Sequence, residues 1–143
     1  MLLCDVNILV NAHREDVEEH QFYLRWLEGL INSDENYAVS ELVLSGFVRV
    51  VTHPRIFSPP TSLADALSFV DAILDRPNCK IVSPGDRHWK IFTNLARSAN
   101  AKGNLIPDAY HAALAIEAGC EWMTSDKGYS RFPGLRWSIP SEH

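Results

Sequence analysis

Residues 2–13, LLCDVNILVNAH, place an aspartate between a short apolar run and a helical pattern. A short apolar run is typical of a strand buried in a parallel sheet, and a helix is expected from Asn7 to His13. Asp5 would then lie at the carboxyl end of that strand. A carboxylate in such a position, close to other acids, is costly unless hydrogen bonds or a cation stabilise it.

Strands and helices are predicted to alternate along the rest of the chain. Further strands are expected at residues 37–39, 79–82, 121–124 and 135–139. Helical spacing of apolar residues predicts helices between them, with Ser40, Ser62 and Asp86 as N-caps and Pro107 at a first helical position. Because this alternation favours right-handed crossovers, we expect an α/β fold with three α/β/α layers around a mainly parallel sheet.

The composition is that of an ordinary globular protein. With 143 residues, 46% hydrophobic and 22% charged, the chain is expected to form one domain over residues 1–143. Cys4, Cys79 and Cys120 are widely spaced and are interpreted as reduced core residues. Neither a basic, apolar leader nor a run long enough to span a bilayer is present, so we expect a cytoplasmic protein without a membrane role.

The charges are unevenly distributed. The net charge of −5 argues against a protein that binds phosphates by broad attraction alone. Yet no acid occurs between Glu41 and Asp65, where Arg49, His53 and Arg55 are candidates for contacts with substrate phosphates. Their alternative role is C-terminal helix capping. A second acid-free stretch carries basic residues more typical of a solvated helix face, namely Arg87, Lys90, Arg97 and Lys102.

Four acids are predicted at one edge of the sheet. Asp5 and Asp126 follow strands, whereas Glu41 and Asp108 lie in first helical turns after strands. Ligands of parallel sheets gather at the carboxyl ends of the strands, which is where all four would lie. Each acid alone has a structural explanation, as a helix-terminus or turn residue. Their convergence predicts a functional site.

Crowded carboxylates repel one another unless a divalent ion neutralises them. Oxygen ligands without histidine or cysteine favour Mg²⁺, with Mn²⁺ as the alternative, over zinc. Such an ion can activate a water and orient a phosphodiester, so Asp5, Glu41, Asp108 and Asp126 are predicted as metal-binding catalytic residues of a hydrolase. Asn7 is a candidate for orienting Asp5 or a water, or else a hydrogen-bonding residue of the helix start.

Four segments of the chain resemble PIN-domain ribonucleases and, within that group, VapC-type toxins of toxin–antitoxin pairs. They are LLCDVNILV (2–10), SELVLSGFVRVVTHPRIF (40–57), GNLIPDAYHAALAIEAG (103–119) and EWMTSDKGYSRFPGLRW (121–137). The resemblance implies a three-layer α/β/α fold, a magnesium- or manganese-binding acidic site and endonucleolytic cleavage of RNA. It also implies a homodimer and a small cognate antitoxin as partner.

The resemblance raises two finer points. In similar proteins a tail of the antitoxin packs along the toxin, so an apolar groove near Phe47, Val51 and Phe57 is a candidate docking surface, with plain core packing as the alternative. Some relatives carry a further acid shortly after the fourth, whereas Lys127 follows Asp126 here. A second metal ion is therefore in doubt, and Ser125 or Thr124 is a candidate polar ligand or a residue that only satisfies the backbone.

Other classes of protein share some features of this predicted site. A related nuclease acting on DNA would share the site, but the larger helical insertions of flap-type enzymes are missing. A receiver-like module usually has adjacent acids after the first strand, where Cys4 lies here. A phosphatase with an aspartyl nucleophile would need Asp-x-Asp, and Asn7 occupies the second position. A catalytically inactive binding module is expected only if one of the four acids lies apart.

Overall fold

The computed structural model describes residues 1–141, and a parallel sheet forms its centre. Its strands are β1 (Leu2–Cys4), β2 (Tyr37–Ser40), β3 (Cys79–Val82), β4 (Glu121–Met123) and β5 (Trp137–Ser138). They are ordered β3-β2-β1-β4-β5, and every pair of neighbours is parallel. The predicted parallel α/β fold is confirmed, with β1 as its central strand.

Helices cover both faces of the sheet. They are α1 (Val6–His13), α2 (His20–Ile31), α3 (Glu41–Val51), α4 (Leu63–Leu74), α5 (His88–Ser98) and α6 (Leu105–Ala118), followed by a 3₁₀ helix at Lys127–Arg131. Right-handed crossovers place α1 to α4 on one face, while α5 and α6, which pack together, return across the other. Among residues 1–141, no helix is long and apolar enough to cross a membrane.

The core lies between the sheet and these helices. Leu3 of β1, Phe47 of α3 and Trp122 of β4 are fully buried there. Cys4 and Cys120 are also buried, and Cys79 is half-buried; all three are free thiols, as expected of core residues. Burial of large apolar side chains on both faces of one short sheet supplies the main stabilisation of such a fold.

The predicted helix starts were partly right. Ser62 caps α4 by accepting a hydrogen bond from the Asp65 backbone N–H at 3.1 Å. Ser40 occupies the N-cap position of α3, but its side chain makes no capping bond within the described residues. The Asp86 cap was wrong, because Glu117 at the end of α6 accepts the backbone N–H groups of Gly85 (2.7 Å) and Arg87 (2.9 Å) instead.

Two predicted boundaries were also wrong. The last helix begins at Leu105 rather than at Pro107, because a proline without an N–H is tolerated anywhere in a first turn, where these groups lack intrahelical acceptors. Asp108 nevertheless remains in the first turn of α6. The last strand covers two residues rather than five, since only Trp137 and Ser138 pair with β4.

The two edge strands differ in length. β5 is two residues long, and Pro140 follows it closely. β3 has four residues, of which Lys80 and Ile81 are exposed. Neither edge of the sheet therefore presents a long, flat, apolar strand with unpaired backbone groups.

Candidate active site

Asp5 is held in place by hydrogen bonds on both carboxylate oxygens. It follows β1, and its backbone N–H donates to the Met123 carbonyl at 2.8 Å. Oδ1 accepts the Val6 backbone N–H at 2.7 Å, which makes Asp5 the N-cap of α1. Oδ2 accepts the Thr124 hydroxyl at 2.7 Å and the Asn7 amide at 3.2 Å. These bonds fix the carboxylate and satisfy it in a position that is only 7% exposed.

The turn after β1 and the loop after β4 are tied together around Asp5. The Thr124 hydroxyl oxygen also accepts the Asp126 backbone N–H at 3.0 Å. Asn7 accepts the Ser125 backbone N–H through Oδ1 at 3.1 Å. Asn7 thus contacts the Asp5 carboxylate through its side-chain amide, while the contact from Ser125 comes from its backbone. Side chains from two strand ends form one network.

Asp108 and Asp126 complete a group of three aspartates. Asp108 is half-buried in the first turn of α6, and its Oδ1 accepts the Tyr129 hydroxyl at 3.2 Å. Asp126 is exposed and caps the 3₁₀ helix by accepting the Gly128 N–H at 2.8 Å. Asp108 therefore belongs to α6, whereas Asp126 belongs to the loop after β4.

The electrostatics reflect this crowding. Burial raises the pKa of Asp5 to about 6, and the charges of Asp108 and Asp126 add to the increase, although the bonds from Thr124 and Val6 oppose it. Burial also raises the pKa of Asp108, with a further contribution from Asp126 and an opposing one from the Tyr129 hydroxyl. The charges of Asp108 and Asp126 therefore act on Asp5, and that of Asp126 acts on Asp108.

Glu41 lies beside this group rather than within it. Two of the aspartates, Asp5 and Asp108, line a cavity of about 400 Å³ together with Leu42 and Pro107. Glu41 is exposed in the first turn of α3 and borders an adjoining groove of about 480 Å³, which shares Leu42 and Pro107 with the cavity. Within residues 1–141, no three His, Cys, Asp or Glu side chains are grouped closely enough to hold a metal ion as they stand.

The predicted basic residues divide into two groups. Arg49 of α3 lines the same cavity as Asp5 and Asp108. His53 instead accepts the Arg55 backbone N–H at 3.1 Å in the turn after α3, and neither residue is among those that line the cavity in the described structure. Of these three predicted residues, Arg49 alone lines the cavity in the part of the chain that the structure describes.

Two aromatic residues of the site carried no clear signal in the sequence. His111, one turn after Asp108, lines the cavity and stacks on Trp122, with 5.3 Å between ring centroids. Burial lowers the pKa of His111 to about 4, so it is a neutral ring near pH 7. Tyr129 resembles any core aromatic in the sequence, and only the fold brings its hydroxyl to Asp108.

The groove expected near Phe47, Val51 and Phe57 is not an open surface. Phe47 and Val51 are fully buried, and Phe47 stacks on Phe69 with 5.0 Å between ring centroids. Phe57 is half-buried beneath the Arg14 guanidinium, 4.3 Å from its ring centre. Core packing is therefore the role of Phe47 and Val51, and the docking-surface prediction was wrong for them.

Comparison with known sequences places this arrangement in a family. The PIN domain model matches residues 2–135, which include all four predicted acids. Ribonuclease VapC43 of Mycobacterium tuberculosis is 48% identical over 140 residues, covering 98% of this chain and 95% of the relative. The chain belongs to the VapC ribonucleases of the PIN-domain family. Ribonuclease VapC25 of the same organism is 39% identical, with 98% and 99% coverage.

Solved structures share the fold of this VapC-family chain. VapBC2 from Rickettsia felis, bound to a DNA fragment from its promoter, has a TM-score of 0.71 at 21% identity, covering 96% of this chain and 97% of the other. VapC20 of M. tuberculosis, a toxin that cleaves the sarcin–ricin loop, has a TM-score of 0.66 at 13% identity, with 95% and 99% coverage. At these identities the likeness establishes the fold alone.

Proposed function

We propose that this VapC-family chain is a divalent-metal-dependent endoribonuclease and the toxin of a toxin–antitoxin pair. The observation that carries the proposal is the convergence of Asp5, Asp108 and Asp126 at one edge of the sheet. Asp5 and Asp108 line one cavity and both have raised pKa values, a combination typical of a site that binds a cation. Membership of the VapC ribonucleases supports RNA as the substrate class.

The donor set fits a hard divalent ion. Asp5, Asp108 and Asp126 offer only carboxylate oxygens, with Glu41 joining from the adjoining groove, and this favours Mg²⁺ or Mn²⁺ over zinc. His111 is a neutral ring and the buried Thr124 carries no charge, so the negative charge of the site comes from the acids. When bound, the ion would activate water and neutralise charge on the phosphodiester oxygens.

The remaining residues bind and orient. Thr124 and Asn7 keep the Asp5 carboxylate turned to the cavity through their bonds to Oδ2. Arg49, on the cavity wall, would contact a phosphate oxygen of the RNA and offset the repulsion between the acids and the backbone of the substrate.

A small antitoxin is proposed as the protein partner. The solved structures of like fold include VapBC from Salmonella typhimurium bound to DNA and FitAB bound to a DNA fragment, both of them complexes of two partner proteins. A homodimer is likewise proposed. Size-exclusion chromatography with light scattering, with and without co-expressed antitoxin, would test both assemblies.

Cleavage of a mixed pool of structured RNA tests the enzymatic proposal. Purified wild type and Asp5→Asn would be compared with and without Mg²⁺ or Mn²⁺, with single-stranded and duplex DNA as parallel substrates. The expected result is metal-dependent cutting of RNA that falls at least about a hundredfold in the variant, because the substitution removes the central charge. Asp71→Asn, an exposed acid of α4, is the matched control and should cut like wild type.

The outcomes separate the alternatives. Full activity of Asp5→Asn would overturn the assignment of the acids, and cutting restored only by zinc would contradict the oxygen-ligand argument. Cutting of DNA in place of RNA would move the substrate class to the alternative nuclease. Binding of RNA without cutting, in the presence of Mg²⁺ and Mn²⁺, would indicate a catalytically inactive module.

A further inference from the structure

Tyr129 is a buried phenol at the acid site that family membership alone does not explain. It lies in the 3₁₀ helix after β4 and is 2% exposed. Its ring packs against Trp122 and Phe132, with 5.5 Å and 5.8 Å between ring centroids. Packing on two sides fixes the ring, and therefore the position of the hydroxyl at its end.

The hydroxyl lies among the aspartates. It donates to Asp108 Oδ1 at 3.2 Å. Burial raises the pKa of Tyr129, and the charges of Asp5, Asp108 and Asp126 all raise it further. A phenol is an ordinary hydroxyl donor near neutral pH, and here the hydroxyl donates to a carboxylate. A neutral donor beside crowded carboxylates stabilises their charge without neutralising it.

The same short helix also determines the position of Asp126. The Asp126 carboxylate accepts the Gly128 N–H at 2.8 Å, and the Tyr129 N–H donates to the Asp126 carbonyl at 3.4 Å. One turn of backbone therefore links the carboxylate of Asp126 to the hydroxyl that holds Asp108. Tyr129 therefore connects Asp108 with the turn that carries Asp126.

We propose that Tyr129 is a positioning residue that fixes Asp108 relative to Asp126, leaving Asp108 Oδ2 for a divalent cation. The inference rests on the proposed function, since it assigns a role toward the ion that the aspartates would bind. Tyr129 itself is not expected to contact the ion or the RNA. Its contribution is the orientation of one ligand, an effect that typically appears in metal affinity.

Tyr129→Phe tests this proposal because it removes one hydroxyl and keeps the packed ring. Isothermal titration calorimetry with Mn²⁺ and no RNA would measure the dissociation constant directly. We expect it to rise about tenfold, the range found when residues that support metal ligands are lost. RNA cleavage should then recover at higher Mn²⁺ concentration, because the ligands themselves remain.

Tyr37→Phe is the matched control. Tyr37 is also 2% exposed, and its hydroxyl donates to the Ile73 carbonyl at 2.5 Å, away from the acids. The Tyr37→Phe variant loses a comparable buried hydrogen bond, so its melting temperature should fall. Its Mn²⁺ affinity should stay at the wild-type value. Melting curves of both variants would confirm that each is folded during the titration.

Three outcomes decide the inference. A tenfold weaker affinity in Tyr129→Phe alone would support it. Equal affinities of Tyr129→Phe and wild type, in a protein whose Mn²⁺ binding is lost in Asp5→Asn, would overturn the inference and leave the proposed function standing. Mn²⁺ binding that survives Asp5→Asn would instead overturn the proposed metal site, and the inference with it.

Discussion

Asp5 and Glu41 follow neighbouring parallel strands at the same sheet edge, yet their surroundings are opposite. Asp5 is 7% exposed and accepts three hydrogen bonds from Val6, Asn7 and Thr124. Glu41 is exposed in the first turn of α3 and borders the adjoining groove. The protein therefore fixes one carboxylate in advance, whereas a bound ion or substrate would have to position the other. The charge of Asp5 should lower the free energy of unfolding, and that of Glu41 should not.

The largest expected effect is a pH-dependent stability that depends on Asp5. Its pKa is raised from 3.8 to about 6 in the folded protein, so the folded state binds more protons than the unfolded state between these values. The unfolding free energy of the metal-free protein should therefore fall by about 3 kcal/mol as pH rises from about 4 to above 6. Urea denaturation at a series of pH values measures this fall.

Asp5→Asn supplies the comparison for that measurement. The asparagine does not titrate, so the variant should lack this component and become more stable than wild type near pH 7. Mn²⁺ should raise the stability of wild type above pH 6, because the ion binds the deprotonated acids. If the unfolding free energies of the metal-free variant and wild type depended identically on pH, the charge of Asp5 would not differ from that of Glu41 in its effect on stability.

A smaller effect is expected when a supporting residue of Asp5 is changed. Thr124→Val is isosteric but removes a fully buried hydroxyl that donates to Asp5 and accepts the Asp126 N–H. Unfolding free energy should fall by about 1–3 kcal/mol, since buried groups lose partners, and RNA cleavage by about tenfold. Thr124→Ser keeps the hydroxyl and should restore most of both. Equal unfolding free energies and cleavage rates of Thr124→Val and Thr124→Ser would show that the hydrogen bond from Thr124 to Asp5 is dispensable.

The smallest effect on stability is expected for Glu41→Gln. An exposed side chain in a first helical turn contributes little to folding, so unfolding free energy should change by less than about 0.5 kcal/mol. Cleavage should still fall at least about tenfold, because the proposed ion loses a ligand charge. A stability change as large as that of Asp5→Asn, measured by the same denaturation, would show that Glu41 also belongs to the preorganised part of the site.

Much of this site followed from local sequence pattern. Three of its features depend on only a few neighbouring residues: the apolar run before Asp5, the serine before α4 and the strand before Asp126. The alternation of strands and helices then favours a parallel sheet. Parallel topology alone brings Asp5, Asp108 and Asp126 to one edge. These features were predictable because each depends on neighbours in the chain.

The features that were missed depend on contacts between distant segments. Glu117 replaces Asp86 in capping the start of α5, although it lies 30 residues from Arg87. Tyr129 reaches Asp108 across 21 residues, and Phe47 of α3 stacks on Phe69 of α4, which lies in a different helix. Side-chain partners of this kind are set by tertiary packing, which one sequence does not display.

The short edge strands have a consequence for self-association. A sheet recruits foreign strands through unpaired backbone groups at its edges, the first step towards fibrils. Here β5 offers only two residues before Pro140, and the opposite edge carries the exposed Lys80 in the middle of β3. An incoming strand would gain few hydrogen bonds at one edge and would have to desolvate a charge at the other. Addition of a foreign strand at either edge is therefore disfavoured.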